Sequence, residues 1–532
     1  PDYVFVLGVA EGEFPAAPGQ TGLLTHADRD ALMRQQVDLP DCFENRVVRE
    51  QVCFYKAMTA PAKGLWISWP KGAGLTLSAA AQPIADLLGP AGPELSLTDM
   101  AATSGSALDC LGGGWPLTET ERASLTEALQ DEGGGLALLA RMAGGPPRRL
   151  EDLAALGGLL GDQLRISPSQ LEAYANCPYG YFLHYVLGLR PRKKARLSAD
   201  QSGTLMHWVL QMALDPDPGP DNPCKGVLPA PFAQLTDSQL AALSAGLVDE
   251  YARRYLPEDT ARLRYLLSRL KKSMAALLCY LRDEQAQSAF SPAACELKIG
   301  PGGVRPQLYR LSNGRTVCLV GTVDRADEWV DGAGTRWVRV VDYKTGAKKL
   351  DLKEVYCGLD CQMLLYLFSL TRDEKGRFAG AEPAGVLYLL ADPNPATAAR
   401  AAAGQAAPCQ LDGLVRDEEK LFEAMDPGKT GLYLPFGWVN GRPSPYQKNR
   451  RAGAAKLGRI EKHLDGLVAG MGEKLYGGAI EAAPLIAGRS PCQWCDYGFI
   501  CCHEAGSGER LVKDLAPAKP FEETDEEKEE EP

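Results

Sequence analysis

The sequence predicts an α/β fold, a mixed β-sheet flanked by helices, and three observations predict it. Residues 294–345 turn from helical to strand periodicity in three runs, ACELKIG, TVCLVGTVDRADEW and WVRVVDYKTG. The helical run LDCQMLLYLFSL comes next, then GVLYLL, continuously apolar as a strand buried on both faces must be. Upstream, RISPSQLEAYANCPYGYFLHYVLG opens a helix sharply: Ser167 suits the N-cap, Pro168 the first helical position, and Gln170 completes a capping box. Helix, three strands, helix and strand make an α/β core.

In chain order, residues 1–70 alternate the strand-like VFVLG and LWISW with a polar helical stretch, THADRDALMRQQ. Residues 90–165 are rich in Gly, Leu and Ala and read as connecting helices. Leu171, Tyr174 and Cys177 recur every third residue on one face of the helix begun at Ser167. DPDPGPDNP (215–223) is a loop by composition, and 240–290 is a long helical pair. The Ala-rich 396–408 segment reads as a loop and 448–475 as a basic helix. These boundaries give four parts: 1–90, a helical connector 91–165, the α/β domain 166–515, and a tail 516–532.

Composition narrows the function. With 45% hydrophobic and 23% charged residues the chain is of ordinary globular type. No stretch approaches the roughly 18–20 apolar residues of a membrane span. The chain opens inside an apolar run without a Met, so it reads as part of a longer protein. Fifteen scattered cysteines fit a reducing cytosol better than a disulfide scaffold. The net charge of −11 is concentrated in Glu522–Glu531, which holds eight acids and one Lys and reads as a disordered, solvated tail. Elsewhere basic residues bunch at Arg190, Arg192, Lys193, Lys194 and Arg196, and again at Lys448, Arg450, Arg451, Lys456, Arg459 and Lys462. Such bunching marks either a nucleic-acid channel or a solvated helix face.

The chemistry concentrates in GTVDRAD (321–327) and VVDYKTG (340–346). Asp342 and Lys344 stand two apart on a strand and project from one face. Asp324 ends the preceding strand, and hairpin pairing would bring its carboxylate to the same point. Two carboxylates with oxygen ligands suit Mg²⁺, and a lysine there can orient a water or offset developing charge. Asp-x-Lys alone is common by chance and also describes a surface salt bridge. His207, on an amphipathic helix, can add an imidazole, and Gln362 and Tyr366 share a helix face at i, i+4.

At the far end SPCQWCDYGFICC (490–502) puts Cys492 and Cys495 at the spacing of a metal knuckle, with Cys501 or Cys502 as a third thiolate. Thiolate ligation alone does not separate zinc from iron–sulfur.

GxxxH, GxxD, DYK and QxxxY in this order resemble the RecB-like branch of the PD-(D/E)XK nucleases. The resemblance implies His207, Asp324 and Asp342 as Mg²⁺ ligands, Lys344 as the catalytic lysine, and Gln362 and Tyr366 as accessory catalytic residues. It places Glu296 at the border of the site. Some members of that branch hold a [4Fe–4S] cluster with one early Cys and a late Cys-x2-Cys-x5-Cys. That pattern implies Cys177, Cys492, Cys495 and Cys501 here, a staple across 315 residues, kept dry by Tyr179, Tyr181, Trp494, Tyr497 and Phe499.

VFVLGVAEGEFP and REQVCFYKAMTAPAKGLWISW resemble the end of a UvrD-like helicase domain. If Thr59 is that motif's threonine, Ala60 replaces the arginine that contacts ATP, so no ATPase activity is expected. DPGKTG (426–431) lacks the first glycine of a P-loop. Together the parts resemble the nuclease-bearing subunits of the bacterial AddAB helicase–nucleases. This implies an AddA-like partner, DNA as substrate, bacterial cytoplasm, and resection of double-strand breaks for recombination. The rival readings are a catalytically silent DNA-binding scaffold, a stand-alone iron–sulfur exonuclease of the CRISPR-adaptation type, and a zinc-stabilised interaction module.

Overall fold

The computed structural model describes residues 1–532 apart from 17–25, 38–42, 71–74, 90–91, 93–95, 114–116, 131–133, 138, 140–148, 191–198, 257–259, 345–348, 392–408, 502 and 523–532. The Ala-rich segment, Arg192–Arg196, Cys502 and nearly all of the acidic run lie outside the described residues. The chain separates into two units, Pro1–Leu139 and Ala140–Pro532.

In the first unit, strand β1 (Tyr3–Val6) pairs in parallel with β2 (Gly64–Ile67). Parallel strands need a crossover, and helices α1 (His26–Arg34) and α2 (Phe43–Thr59) lie between them. Val6, Val9, Phe54 and Ala81 form the core. Thr59 closes α2, its hydroxyl donating to the Tyr55 carbonyl at 2.8 Å, and Ala60 follows it.

The second unit opens with β3 (Gln163–Ile166) and α3 (Pro168–Asn176). The helix begins as its sequence demands: the Ser167 hydroxyl accepts from Gln170 N–H, and the Gln170 side chain accepts from Ser167 N–H. Leu171 and Tyr174 are buried, and Cys177 sits at the junction with a one-turn helix, α4 (Pro178–Tyr181). Helix α5 (Ala199–Leu214) carries His207. The expected helical pair is α6 (Asp237–Tyr255) and α7 (Ala261–Gln287).

The strands are β4 (Ser291–Ile299), β5 (Leu308–Arg310), β6 (Thr316–Leu319), β7 (Gly321–Val330) and β8 (Arg336–Lys344). Helix α8 (Gln362–Thr371), β9 (Glu382–Ala391) and β10 (Cys409–Arg416) follow, then β11 (Arg451–Ala452) and α9 (Ala454–Tyr476). The main sheet runs β11-β10-β9-β8-β7-β4. Strands β8 and β9 are parallel, while β7–β8, β4–β7 and β9–β10 are antiparallel, so the sheet is mixed.

Three expectations change. TVCLVGTVDRADEW is not one strand: it breaks at Val320, giving β6 to a second sheet, β3-β6-β5, and β7 to the main one. Asp324 therefore does not end a strand; it lies near the start of β7, beside the end of β8. The basic helix begins only at Ala454, after a 3₁₀ segment at Pro445–Arg450.

Two cores flank the sheet. One face packs α8 and α9 over Val338, Val340 and Val386; the other packs α5, α6 and α7 over Trp337, Val341 and Leu387. Four buried charges lie on the second face. Arg325 pairs with Asp327 at 2.7 Å and Glu284 at 3.2 Å, and Arg339 pairs with Asp327 at 2.8 Å and also with Glu284. No helix among the described residues is long and apolar enough to cross a membrane.

Candidate active site and cysteine cluster

The break at Val320 and the antiparallel pairing of β7 with β8 bring Asp324, Asp342 and Lys344 together. Asp324 Oδ2 accepts from the backbone N–H of Tyr343 at 3.3 Å. His207 on α5 reaches the backbone of the same residue: its Nε2 donates to the Tyr343 carbonyl at 3.0 Å. The backbone of Tyr343 thus fixes both side chains, while its own hydroxyl, on the other face, lies 3.4 Å from Arg325.

That bond sets the tautomer of His207. With the proton on Nε2, the lone pair of Nδ1 faces Asp324 Oδ2 at 3.3 Å. Two acceptors at that distance require a proton or a metal ion. Burial opposes a charged ring, but the hydrogen bond and charge of Asp324 outweigh it, holding His207 above its ordinary pKa.

A third ligand comes from β4. His207, Glu296 and Asp324 offer ligand atoms that all lie within 4.8 Å of one another, the one such group of three among the described residues. Glu296 has φ of +49° inside a strand, a left-handed conformation that β-structure does not use. It falls opposite Asp324, between the pairs Cys295–Arg325 and Leu297–Val323. Burial and then Asp324 push its carboxyl up.

Asp342 is almost fully buried. Lys344 Nζ donates to its Oδ1 at 3.0 Å and pairs with its Oδ2 at 2.7 Å. Burial and the charge of Asp324 hold this carboxyl up at about 6, against the pull of Lys344. A buried carboxylate that feels Asp324 and His207, next to a group of two acids and an imidazole, suits a hard divalent cation.

Helix α8 completes the wall. Gln362 Nε2 reaches Asp342 Oδ1 at 3.5 Å, and its own N–H donates to Glu172 of α3 at 3.3 Å. One turn on, the Tyr366 hydroxyl accepts from the Thr322 N–H, and burial pushes it up to about 12. Sequence reasoning passed over Glu172, which has no motif, and held Glu296 only at the margin; an acid in the middle of a strand one side of which is apolar was the available signal.

The four cysteines also converge. The thiols of Cys177 and Cys501 each feel those of Cys492 and Cys495. Burial pushes Cys177 up, while the N–H groups of Gly180 and Tyr179 donate to its sulfur. Cys492 and Cys495 sit on a short 3₁₀ turn, and Cys501 is buried, pushed up to about 11 by burial and then by Cys177. Tyr179 and Tyr181 are buried as expected, and the Tyr497 hydroxyl donates to Leu189 O at 2.9 Å. Trp494 and Phe499 do not cover the thiols: they are 65% and 81% exposed, because the terminal turns have no layer above them among the described residues.

The second basic cluster is largely engaged within the fold. Arg450 pairs with Asp412 at 2.6 Å, Arg451 with Asp417 at 3.0 Å and Lys456 with Glu522 at 2.6 Å, and Arg459 donates to Phe521 O. Lys448 and Lys462 remain exposed.

A carboxylate on β7 beside a carboxylate–lysine pair on β8 of a mixed sheet, backed by helices, defines a class of hydrolase site. The family model for the PD-(D/E)XK nuclease superfamily matches residues 165–502, and the chain belongs to that superfamily. Along 94% of its length the chain is 28% identical to the B subunit of the ATP-dependent helicase/deoxyribonuclease of Desulforudis audaxviator. The proteins of the same name from Symbiobacterium thermophilum and Moorella thermoacetica are each 29% identical over 93% and 96% of the chain. The chain covers 45–47% of the length of these three relatives.

Proposed function

We propose that this chain is the nuclease part of a helicase–nuclease, hydrolysing phosphodiester bonds of one DNA strand with Mg²⁺ during resection of double-strand breaks. The observation that carries the reading is the convergence of His207, Glu296 and Asp324 on one point, next to the buried Asp342–Lys344 pair. Asp324, Asp342, His207 and Glu296 would hold the cation, which supplies Lewis-acid activation of the phosphate and lowers the pKa of water.

The chain's own groups do the rest. Lys344, anchored on Asp342, presents an ammonium where negative charge develops on the phosphate oxygens. Gln362 keeps Asp342 in place, and Tyr366 closes the wall against Thr322. The relatives' name supports DNA as substrate, an AddA-like partner and a bacterial cytoplasmic setting.

Cys177, Cys492, Cys495 and Cys501 are assigned to a [4Fe–4S] cluster. The relatives of this nuclease branch that carry the same cysteine spacing favour iron–sulfur, and the backbone N–H groups of Gly180 and Tyr179 beside Cys177 suit a cluster sulfur.

Two measurements test the assignment. The chain should cut DNA with Mg²⁺ and not in EDTA, and Asp342→Ala should abolish cutting while leaving the melting temperature near that of the parent. Anaerobically purified chain should carry iron and sulfide, lost in Cys177→Ala. Zinc in place of iron would refute the cluster, and metal-independent cutting would refute the active site.

A further inference from the structure

The end of α6 and the start of α7 carry aromatic and basic groups that the metal site does not use. Residues 249–272 hold seven basic and four acidic side chains in a chain that is acidic overall. Tyr255, the last residue of α6, is 54% exposed, and Tyr265, in the second turn of α7, is 61% exposed.

These rings lead away from the active site. Trp208 follows His207 on α5; Tyr255 meets Trp208 edge-on at 6.4 Å and lies 4.9 Å from Tyr251. Guanidinium groups accompany the aromatics: Arg254 stands 5.9 Å from the Trp208 ring and Arg269 5.9 Å from Tyr265. Glu250 anchors Arg254 at 2.5 Å and Arg253 at 2.6 Å, and the Arg253 side chain remains 71% exposed.

Exposed rings flanked by cations are what unpaired bases and their phosphates take; bases in a duplex already stack on each other and offer no free face. We propose that the last turn of α6 and the first turns of α7 form a stacking platform for single-stranded DNA that runs on from the active site beside His207. The proposal rests on the nuclease reading for the identity of its ligand.

The test measures binding without cleavage, so it stands apart from the nuclease assignment. The full chain carrying Asp342→Ala is titrated with a fluorescent fifteen-nucleotide oligo-dT and, separately, with an end-closed duplex. Adding Tyr255→Ala and Tyr265→Ala should weaken oligo-dT binding about ten-fold or more, the usual effect of losing stacked bases. Duplex binding should change less than two-fold. Tyr255→Leu, which keeps apolar contact with Tyr251 and Trp208, should lose affinity as Tyr255→Ala does, whereas Tyr255→Phe should keep it. Arg253→Gln with Arg269→Gln should flatten the salt dependence of oligo-dT binding. Unchanged oligo-dT affinity in the tyrosine variants, or equal losses on both ligands, overturns the platform.

Discussion

The hydroxyl end of the Tyr366 ring closes on Gly321: a Cβ on that glycine would stand 2.5 Å from the Tyr366 oxygen and 2.7 Å from a ring carbon. The two residues come from separate motifs, GxxD and QxxxY, and each explains the other. Only a residue without a side chain lets α8 settle over the start of β7, three residues before Asp324.

Gly321→Ala should therefore lower cleavage about ten-fold or more and destabilise the chain by about 1–3 kcal/mol, as overpacking does. Removing the ring in the same chain with Tyr366→Ala should give a combined loss smaller than the sum of the two. Thermal melting of the four chains checks it, and strict additivity would show that the contact is unimportant.

Asp342 sets a pH dependence of opposite sign for stability and for activity. Its folded-state pKa, about 6, lies above the ordinary 3.8. The protonated form thus stabilises the metal-free chain below about pH 4, and that contribution disappears as pH rises through about 6. Metal binding needs the ionised form. In EDTA, Asp342→Asn should melt above the parent at pH 7.5, with the gap narrowing at pH 5. Cleavage by the parent should rise through pH 6. A gap that does not vary with pH would contradict the placement of Asp342.

Glu296 exchanges backbone strain for a ligand. Glu296→Gly should raise stability by about 1 kcal/mol, because glycine adopts its left-handed backbone without steric cost. The same variant should need more Mg²⁺ for half-maximal cleavage. Glu296→Gln keeps the strain and loses the charge, so it should shift the metal requirement without the gain in melting temperature.

The buried charges on the opposite face are held chiefly by each other. Arg325→Met leaves Asp327 short of one partner in an apolar layer and should destabilise the chain by about 3–5 kcal/mol. Arg325→Met with Asp327→Leu should recover much of that loss. Denaturant unfolding of the two variants provides the comparison.

The local rules were legible wherever a residue type has one use. The Ser167–Gln170 capping box, the apolar strand β9 and the i, i+4 relation of Gln362 and Tyr366 follow from short-range chemistry. His207, Asp324 and Asp342 are also visible in the sequence as residue types fit for a metal, and Lys344 as a cation fit to offset charge on a phosphate. Strand breaks were not legible, because Val320 is as good a strand former as its neighbours and only the competition between two sheets ends β6 there. Exposure was not legible either: Trp494 and Phe499 suit a core, and nothing local says that a covering layer is missing among the described residues. The basic helix misled because Asp412, Asp417 and Glu522, which take up its charges, lie far along the chain.

The first and last stretches of the second unit are knitted together by hydrogen bonds to main-chain oxygens: Leu150 N–H to Gly478 O, Tyr179 N–H to Glu481 O, and the Arg510 side chain to Ala175 O. Helix α3, which bears Glu172 and leads into Cys177, is thus completed by residues more than 300 positions later. On a ribosome that helix waits for nearly the whole domain to emerge. A chain truncated before residue 478 would carry every catalytic carboxylate and still lack the frame that aligns them.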